Sequence, residues 1–308
     1  MEEIRKIGVL YGGSSSEREI SLLSGEGVHN AICELGYESH LIDFKELKDL
    51  NELKDYDFIF IALHGFEGEG GKLQKDLDDL NILYSGSGYE ACANTWNKKV
   101  TKEILKQNKI NTPISIGISE FSDKVAKNGL NISPYDCFRP FNYLFLKPDA
   151  DGSSIDIFKI SDDESLKNAY KKCTNRERGF IFEEFIEGRE LTVTLINKEC
   201  FPPIEIITKN EFYDYEAKYI SEDTLHIQAE LSLDELKDIN SISLKALNAL
   251  GCKGWARIDF LQDNDGKFYV IEVNTVPGMT LHSNVPKSGG FLGLNYNEVV
   301  QKIIDASL

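Results

Sequence analysis

Short apolar runs alternate with a helical stretch at the start of the chain, and this alternation limits the fold more than any other feature. The apolar run 7–11 ends in two glycines, as a buried parallel strand does where it enters a loop. Apolar residues recur at helical spacing over 28–35, and Gly36 follows them as a C-terminal glycine. Strand-like runs return at 39–42 and 58–63. This βαβ pattern predicts a parallel sheet.

The rest of the chain changes character near Asn97. A lysine-rich helical stretch covers 97–111, and the following segment carries strand-like runs at 143–147 and 179–184, which favours a smaller α+β unit. Strands resume from Glu190, and apolar residues on one face predict a long helix over 233–250. A length of 308 residues suits two or three domains of the usual size, about 150 residues each.

Charge and hydropathy narrow the classes of partner. With 34 Lys and Arg against 51 Asp and Glu, the net charge is 34 − 51 = −17, which argues against nucleic acid and anionic membrane surfaces as partners. A phosphate ligand must therefore be bound by lysines at its own binding site. No apolar run approaches the roughly 20 residues that span a bilayer, and the first residues are acidic without an apolar signal region. We expect a cytoplasmic protein.

The cysteines do not form a metal-binding pattern. All six lie 27 or more residues apart, and the sequence has no Cys-x-x-Cys or His-x-x-x-His pair. This spacing predicts buried free thiols rather than a disulfide framework or a structural zinc site.

Two strand-like runs near the C-terminal end carry the strongest local signal. The runs 255–261 and 268–274 are joined through Asp-Asn-Asp-Gly, which predicts a hairpin turn rather than a calcium loop. Because side chains alternate between faces, Arg257 and Asp259 share one face, as do Glu272 and Asn274. Two carboxylates and one amide oxygen suit a hard cation such as Mg²⁺ or Mn²⁺.

The alternative for this hairpin is a polar solvent face with a cross-strand pair of Arg257 and Glu272. The segment Pro277-Gly278-Met279-Thr280 favours the metal site, because it turns the chain beside these residues and exposes backbone N–H groups that could serve an oxyanion.

Two lysines stand where they could meet phosphates. Lys98 lies near a helix start, and Lys147 ends a strand before a turn that contains Gly152-Ser153-Ser154. Small side chains and open backbone donors suit a turn that closes over phosphates. Solvated surface lysines and an ordinary serine-rich loop are the alternative.

Seven segments, in order along nearly the whole chain, resemble the D-alanine:D-alanine ligases of the ATP-grasp superfamily. The matching segments are 12–21 (GGSSSEREIS), 62–65 (ALHG), 84–88 (YSGSG), 213–219 (YDYEAKY), 251–255 (GCKGW), 272–275 (EVNT) and 277–280 (PGMT). The resemblance implies α/β and α+β structure in a three-domain ATP-grasp fold. Its parts would be an N-terminal parallel-sheet (preATP-grasp) domain, 1–97, a central subdomain, 98–187, and a C-terminal subdomain, 188–308, with ATP between the last two.

The resemblance also implies a role for individual residues on the nucleotide side. The residues that match phosphate contacts are Lys98, Lys147 and Lys218. Those that match the adenine hinge are Glu183, Glu184 and Ile186. Glu190 matches the ribose partner. The metal ligands of the family correspond to Asp259, Glu272 and Asn274. Without the resemblance, the run around Glu183 is a buried strand with carboxylates at its rim.

Further roles follow on the amino-acid side. The residues implied to close on the first D-alanine are Glu17, Ser153 and Tyr219. His64 would lie near the amine of that substrate, Arg257 and the Gly278 N–H at the oxyanion, and Ser283 at the carboxylate of the second substrate. The alternatives are a helix N-cap for Glu17 and satisfied polar groups for His64 and Ser283.

The implied activity is ATP-dependent joining of two D-alanines through an acyl phosphate, for peptidoglycan precursor synthesis. The tyrosine loop at 216–219 favours an amine over D-lactate as the nucleophile. The implied partners are D-alanine and ATP, and the resemblance points to a homodimer. The chain departs from the family pattern at Gly70, Asp156 and Asn284.

Two other classes of function compete with the ligase. Gly86-x-Gly88-x-x-Ala91 after an apolar run could mark a dinucleotide-binding oxidoreductase, but this pattern is short, lies outside the first βαβ unit and is followed by a lysine-rich helix. A non-catalytic ATP-binding module is the second rival. The complete set of Arg257, Asp259, Glu272 and Asn274 argues against it.

Overall fold

The computed structural model describes residues 4–118, 143–152, 156–175, 177–209 and 223–308. The strands in these ranges are β1 (Lys6–Tyr11), β2 (Glu38–Asp43), β3 (Phe58–Ile61), β4 (Ser115–Ile118), β5 (Leu144–Pro148), β6 (Phe158–Ile160), β7 (Phe180–Glu184), β8 (Gly188–Ile196), β9 (Glu199–Cys200), β10 (Ile204–Ile207), β11 (Leu225–Gln228), β12 (Trp255–Asp263) and β13 (Phe268–Asn274). The helices are α1 (Arg18–Glu34), α2 (Phe66–Glu69), α3 (Lys72–Asp79), α4 (Tyr89–Trp96), α5 (Lys98–Gln107), α6 (Asp163–Lys172), α7 (Leu233–Ala249), α8 (Asn284–Phe291) and α9 (Tyr296–Asp305), with a 3₁₀ helix at Leu50–Asp55.

The N-terminal sheet has the order β2-β1-β3, and both pairings are parallel, which confirms the βαβ prediction. Helix α1 connects β1 to β2 and buries Val28 and Ile32 completely. These residues lie four positions apart and so share one helix face. Gly36 follows the helix with φ +93°, a conformation that a side chain would strain, and thereby ends it.

The central sheet is antiparallel, with the order β4-β7-β5-β6. On one face of β5 and β7, Leu144, Leu146 and Phe182 are almost fully buried. Helix α6 covers one face through Leu166 and Ala169. The other face of this sheet lines a cavity with Lys147 from β5 and Glu183 from the neighbouring strand β7.

The third sheet is also antiparallel, in the order β11-β10-β8-β12-β13, with β9 paired to β8. Strands β8 and β12 are paired from Gly188 to Ile196, and β13 pairs with the other edge of β12. The predicted long helix is α7, which packs Ile239, Ala246 and Leu247 into the core of this sheet. Burial of that apolar face gives the hairpin β12–β13 a rigid support.

The last two helices complete the N-terminal core rather than extend the third sheet. Val285 of α8 and Val299 and Ile303 of α9 are fully buried in the same cluster as β1 and β3. Each sheet falls within one of the three predicted segments, but this packing joins the first segment to the third. The domain boundaries therefore stay predictions.

All five cysteines in the described ranges are free thiols. Cys92, Cys173 and Cys252 are buried, as predicted, but Cys33 is exposed. The prediction of burial is wrong there because Cys33 follows Ile32 on α1 and so points about 100° away from the buried face. No helix in these ranges is both long and apolar enough to cross a bilayer.

Candidate active site

Two adjoining cavities form one cleft between the three sheets. The first cavity, of about 300 Å³, lies between the N-terminal segment and the hairpin β12–β13. The second, of about 580 Å³, lies between the central and third sheets. Lys98, Ile206, Asp259 and Glu272 line both cavities, so two of the three predicted metal ligands stand at their junction, and the third, Asn274, lines the first cavity.

The structure brings most of the predicted site residues to this cleft. Those on the wall of the first cavity are Glu17, His64, Lys98, Arg257, Asp259, Glu272, Asn274, Gly278 and Ser283. Those on the wall of the second are Lys98, Lys147, Glu183, Ile186, Glu190, Asp259 and Glu272. Glu184 lines neither cavity as described, and its carboxylate accepts a hydrogen bond from Ile114 N–H at 3.0 Å. Ser153, Lys218 and Tyr219 lie outside the described residues.

The hairpin has the predicted arrangement. Asp259 lies opposite Glu272, and Arg257 lies opposite Asn274, in one antiparallel ladder. The Arg257 guanidinium donates two hydrogen bonds of 2.8 Å to the Asp259 carboxylate on its own strand. Asp259 also accepts from Asn274 Nδ2 at 3.1 Å and from Thr192 Oγ1 at 2.6 Å. These contacts fix the orientation of a carboxylate that is 7% exposed.

The donor set suits a hard cation. Asp259 and Glu272 offer carboxylate oxygens where the two cavities meet, and Asn274 offers an amide oxygen on the wall of the first. Oxygen is the ligand type that Mg²⁺ takes when phosphate and water complete its shell. Within the described ranges, no group of three or more His, Cys, Asp or Glu side chains could hold a metal. The predicted set has only two such side chains, together with the Asn274 amide, so it is not a group of that kind. It suits an ion that a bound nucleotide also holds.

A buried cluster of three charged side chains supports the second cavity. The Glu183 carboxylate lies between Lys102, whose Nζ is 2.7 Å from Oε2, and Lys147, whose Nζ donates to Oε1. Lys102 is 1% exposed and Glu183 is 2% exposed. Burial alone would raise the pKa of Glu183, but the two ammonium groups outweigh it and lower this pKa to about 2. Glu183 thereby orients Lys147 on the cavity wall.

Replacing Lys102 by Met tests this cluster. The change leaves Glu183 with one buried partner instead of two, and Thr112 Oγ1 loses its 2.9 Å donor. Breaking a buried ion pair costs about 3 kcal/mol or more, so we expect the free energy of unfolding in urea to fall by that order. Lys106→Met is the matched control, since Lys106 is exposed on the same helix. Equal losses in the two variants would contradict the role of Lys102.

Lys98 connects the two cavities. Asn97 caps α5 by accepting from Val100 N–H, and this cap places Lys98 at the first position of the helix. The Lys98 ammonium donates to the Asp151 carbonyl oxygen, and its backbone N–H donates to the Asp149 carbonyl oxygen. The start of α5 is therefore joined directly to residues 149–151, which follow β5.

The N-terminal wall holds two carboxylates, of which sequence reasoning identified only one. Glu17 precedes α1, but its side chain makes no capping hydrogen bond, so the N-cap alternative is not supported. Glu69 lies on the same wall and accepts from Gly65 N–H at 2.9 Å. Burial, and then the negative charge of Glu17, raises the pKa of Glu69 well above its usual value. Both carboxylates face a cavity that would suit a substrate ammonium.

Ser283 lies at the end of the turn that follows β13. Its Oγ accepts from Thr280 N–H at 3.0 Å and lies 2.9 Å from Thr280 Oγ1. Beside it, Asn284 Oδ1 lies 2.7 Å from His226 Nδ1, and both residues line the first cavity. Sequence reasoning missed His226, because a single histidine on a short edge strand carries no pattern.

The departures from the family pattern have local explanations. Asp156 has φ +55°, a left-handed conformation that aspartate tolerates better than most residues with a side chain. Its carboxylate pairs with Arg178 and accepts from Thr174 N–H at 2.9 Å. Gly70 ends the short helix α2, and Asn284 begins α8.

The glycine turn that suggested a dinucleotide site is filled by protein. Gly86 has φ +90°, and a Cβ there would lie 3.1 Å from Trp255 Nε1. Gly86 N–H donates to Ser307 Oγ, and Ser87 Oγ donates to the Lys253 carbonyl oxygen. The turn therefore packs against the third sheet, which removes the basis for the oxidoreductase alternative.

Comparisons with known proteins point to one family. The family described as the D-ala D-ala ligase C-terminus matches residues 126–305. The D-alanine–D-alanine ligase of Mannheimia succiniciproducens is 37% identical over 307 residues, covering 98% of each chain. The crystal structure of a D-alanine–D-alanine ligase from Bacillus anthracis complexed with ATP is similar with a TM-score of 0.85 and 32% identity, over 98% of this chain and 97% of that one. The VanG D-Ala:D-Ser ligase from Enterococcus faecalis has a TM-score of 0.83 and 25% identity, over 99% and 100%.

Proposed function

The chain belongs to the D-alanine–D-alanine ligase family, and from this premise we propose that its cleft joins two D-alanine molecules with ATP as the phosphoryl donor. The product, D-alanyl-D-alanine, is a peptidoglycan precursor. The observation that carries the proposal is the hairpin β12–β13, which places two carboxylates where the two cavities meet and an arginine and an amide beside them on the wall of the first cavity. One cavity then takes the amino acids and the other takes ATP.

The reaction needs activation of a carboxylate. Its negative charge repels an amine, and oxide is a poor leaving group, so the first D-alanine must be phosphorylated on its carboxylate. Lys98 and Lys147 lie where they can neutralise the transferred phosphoryl group. Asp259, Glu272 and Asn274 would hold Mg²⁺, which supplies charge neutralisation on phosphate oxygens.

The second cavity suits the nucleotide. Phe145, Phe185 and Ile186 give it apolar walls for a base, and Glu190 stands beside them as the proposed ribose partner. The buried pairing of Glu183 with Lys102 and Lys147 keeps a net positive charge at the phosphate end. A chain with a net charge of −17 needs such a local positive field to bind ATP.

The first cavity suits two amino acids. Glu17 offers a carboxylate to the ammonium of the first D-alanine, while Ser283 stands ready for the carboxylate of the second. The second amine attacks the acyl phosphate and phosphate leaves. Arg257 and the Gly278 N–H would stabilise the tetrahedral oxyanion, where one donor is worth roughly 3 kcal/mol.

Product analysis tests the function. Purified protein with ATP and Mg²⁺ is offered D-alanine, D-serine, D-lactate or L-alanine, and phosphate release and products are measured. We expect D-alanyl-D-alanine from D-alanine and little ester from an equimolar mixture with D-lactate. D-serine is included because one structural neighbour is a D-Ala:D-Ser ligase. ATP binding without any phosphate release that depends on an amino acid would refute the ligase and favour a non-catalytic ATP module.

Replacing Glu17 by Gln tests the first subsite. If Glu17 binds the ammonium, we expect the KM for D-alanine to rise about tenfold, the effect of losing a charge-assisted hydrogen bond of roughly 1.5 kcal/mol, with melting almost unchanged. A cap would instead cost about 1 kcal/mol of stability and leave KM alone. Glu19→Gln on the first turn of α1 is the matched control. Tyr219→Phe should raise KM less, and a cycle with Glu17→Gln should be non-additive if the two share a network.

A homodimer and a cytoplasmic location remain predictions. Sedimentation of the purified chain across concentration tests the first, and cell fractionation tests the second.

A further inference from the structure

The turn that carries Gly278 is held by residues from outside its own sheet. Val276 and Met279 flank Pro277-Gly278, and the polar backbone groups of both make hydrogen bonds to distant elements. His64 Nδ1 lies 3.1 Å from the Val276 carbonyl oxygen. Met279 N–H donates to Ser24 Oγ at 3.2 Å, and Ser24 Oγ lies 3.0 Å from His64 Nε2. One closed chain of hydrogen bonds therefore spans the turn.

The direction of each bond follows from the groups involved. A carbonyl oxygen only accepts, so His64 Nδ1 carries the proton. Burial lowers the pKa of His64, which keeps the ring neutral and leaves Nε2 as an acceptor. The Ser24 hydroxyl then donates to Nε2 and accepts from Met279 N–H. Each polar group in this buried chain has a partner, with Ser24 0% exposed and His64 4% exposed.

The opposite side of the turn is held from the last helix. Tyr296 OH, on α9, donates to the Met279 carbonyl oxygen at 2.5 Å. Tyr296 also packs closely on α1, since a Cβ added at Gly27 would lie 2.8 Å from its hydroxyl. Both backbone polar groups of Met279 are thus fixed by side chains, one from α1 and one from α9.

We propose that Ser24 and Tyr296 are positioning residues for the oxyanion donor: by fixing Met279 they hold the Gly278 N–H where the tetrahedral oxyanion forms. This inference rests on the proposed function, in which Gly278 N–H and Arg257 stabilise that oxyanion. Neither side chain needs to touch substrate. Such a donor acts only if its position is set before the reaction, because a rearrangement during the step would consume its contribution.

The consequence is a loss of kcat without a loss of nucleotide affinity. Ser24→Ala removes the acceptor of Met279 N–H, and Tyr296→Phe removes the donor to its carbonyl oxygen. A 1 Å misplacement of a catalytic group lowers the rate on the order of 100-fold. Each variant removes only one of the two contacts that fix Met279, so we expect a smaller displacement and a fall in kcat of about tenfold. The KM for ATP should stay unchanged, because the second cavity does not include this turn.

Two controls separate positioning from stability. Ser21 lies one turn before Ser24, is also 0% exposed, donates to the Ala62 carbonyl oxygen and accepts from Gly12 N–H. Ser21→Ala therefore removes the same hydroxyl and two comparable bonds without touching the turn. Tyr37 OH donates to Gln301 on α9, so Tyr37→Phe controls for Tyr296→Phe.

The experiment measures kcat, the KM for ATP, the KM for D-alanine and thermal melting for the full chain and these four variants. The inference is supported if kcat falls in Ser24→Ala and Tyr296→Phe but not in the controls Ser21→Ala and Tyr37→Phe, while the melting temperature falls in both members of each pair. It is overturned if Ser21→Ala lowers kcat as much as Ser24→Ala, or if Tyr296→Phe turns over like wild type. If Ser24→Ala does not fold, Tyr296→Phe against Tyr37→Phe decides alone. A wild-type protein that forms no dipeptide would instead refute the proposed function, before any variant is compared.

Discussion

Replacing Glu272 by Gln is expected to lower kcat on the order of 100-fold or more, because Glu272 would help to hold the Mg²⁺ that neutralises charge on the phosphate oxygens, and the variant removes one ligand charge. Glu272 lies opposite Asp259 in the ladder and lines both cavities. The amide has nearly the same shape as the carboxylate, so the fold should be retained. Phosphate release at saturating Mg²⁺, with melting as the folding check, measures the effect.

Asp265→Asn is the matched control for Glu272→Gln. It removes one negative charge from the same hairpin, at an exposed position in the turn between β12 and β13. We expect this variant to keep wild-type kcat. Phosphate release by Glu272→Gln equal to that of the control would remove Glu272 from the metal site.

Arg257→Lys should lower kcat about 100-fold, the usual effect of losing one donor to a developing oxyanion. Lysine keeps the positive charge but cannot reproduce a planar fork, and here the fork also makes two 2.8 Å hydrogen bonds to Asp259. The KM for ATP should change much less than kcat. Steady-state kinetics at saturating D-alanine separates the two parameters.

Arg189→Lys is the comparison for Arg257→Lys. Arg189 makes the same two-pronged pairing, to Glu205 at 2.9 and 2.6 Å, on the wall of the second cavity. A general loss of rigidity would lower kcat in both variants. Our assignment instead requires that Arg189→Lys affects stability and the KM for ATP while Arg257→Lys affects kcat.

The sequence was most informative where one physical pattern fixed the answer. Strand alternation has a period of two, so a shift of one residue would bury the polar face of β12 and expose Ile258. The predicted hairpin, which brings the polar residues of both strands together, is confirmed for this reason, and the structure places Asp259 opposite Glu272. The parallel N-terminal sheet was equally predictable, because its apolar runs alternate with a helix of the right length.

Residues that act through tertiary contacts gave no such signal. Lys102 belongs to a lysine-rich helix, which predicts a solvated charge, yet it is buried against Glu183 on strand β7 of the central sheet. Ser24 and Met279 meet although 255 positions separate them. Glu69 directly precedes Gly70 in the sequence, but only its desolvation and the nearby charge of Glu17 distinguish it from a surface carboxylate. Pairings of this kind depend on which elements pack together, and local spacing does not encode that.

The packing of α9 on α1 also bears on how the chain is made. Val299, Ile303 and Ile304 fill the same core as Val28 and strands β1 and β3, so the N-terminal sheet lacks part of its interior until α9 has been translated. Contacts between positions so distant in sequence form slowly and leave apolar surface open in the meantime. During synthesis the N-terminal sheet therefore exposes apolar surface. We expect chaperones that shield apolar surface to bind it until α9 has been made.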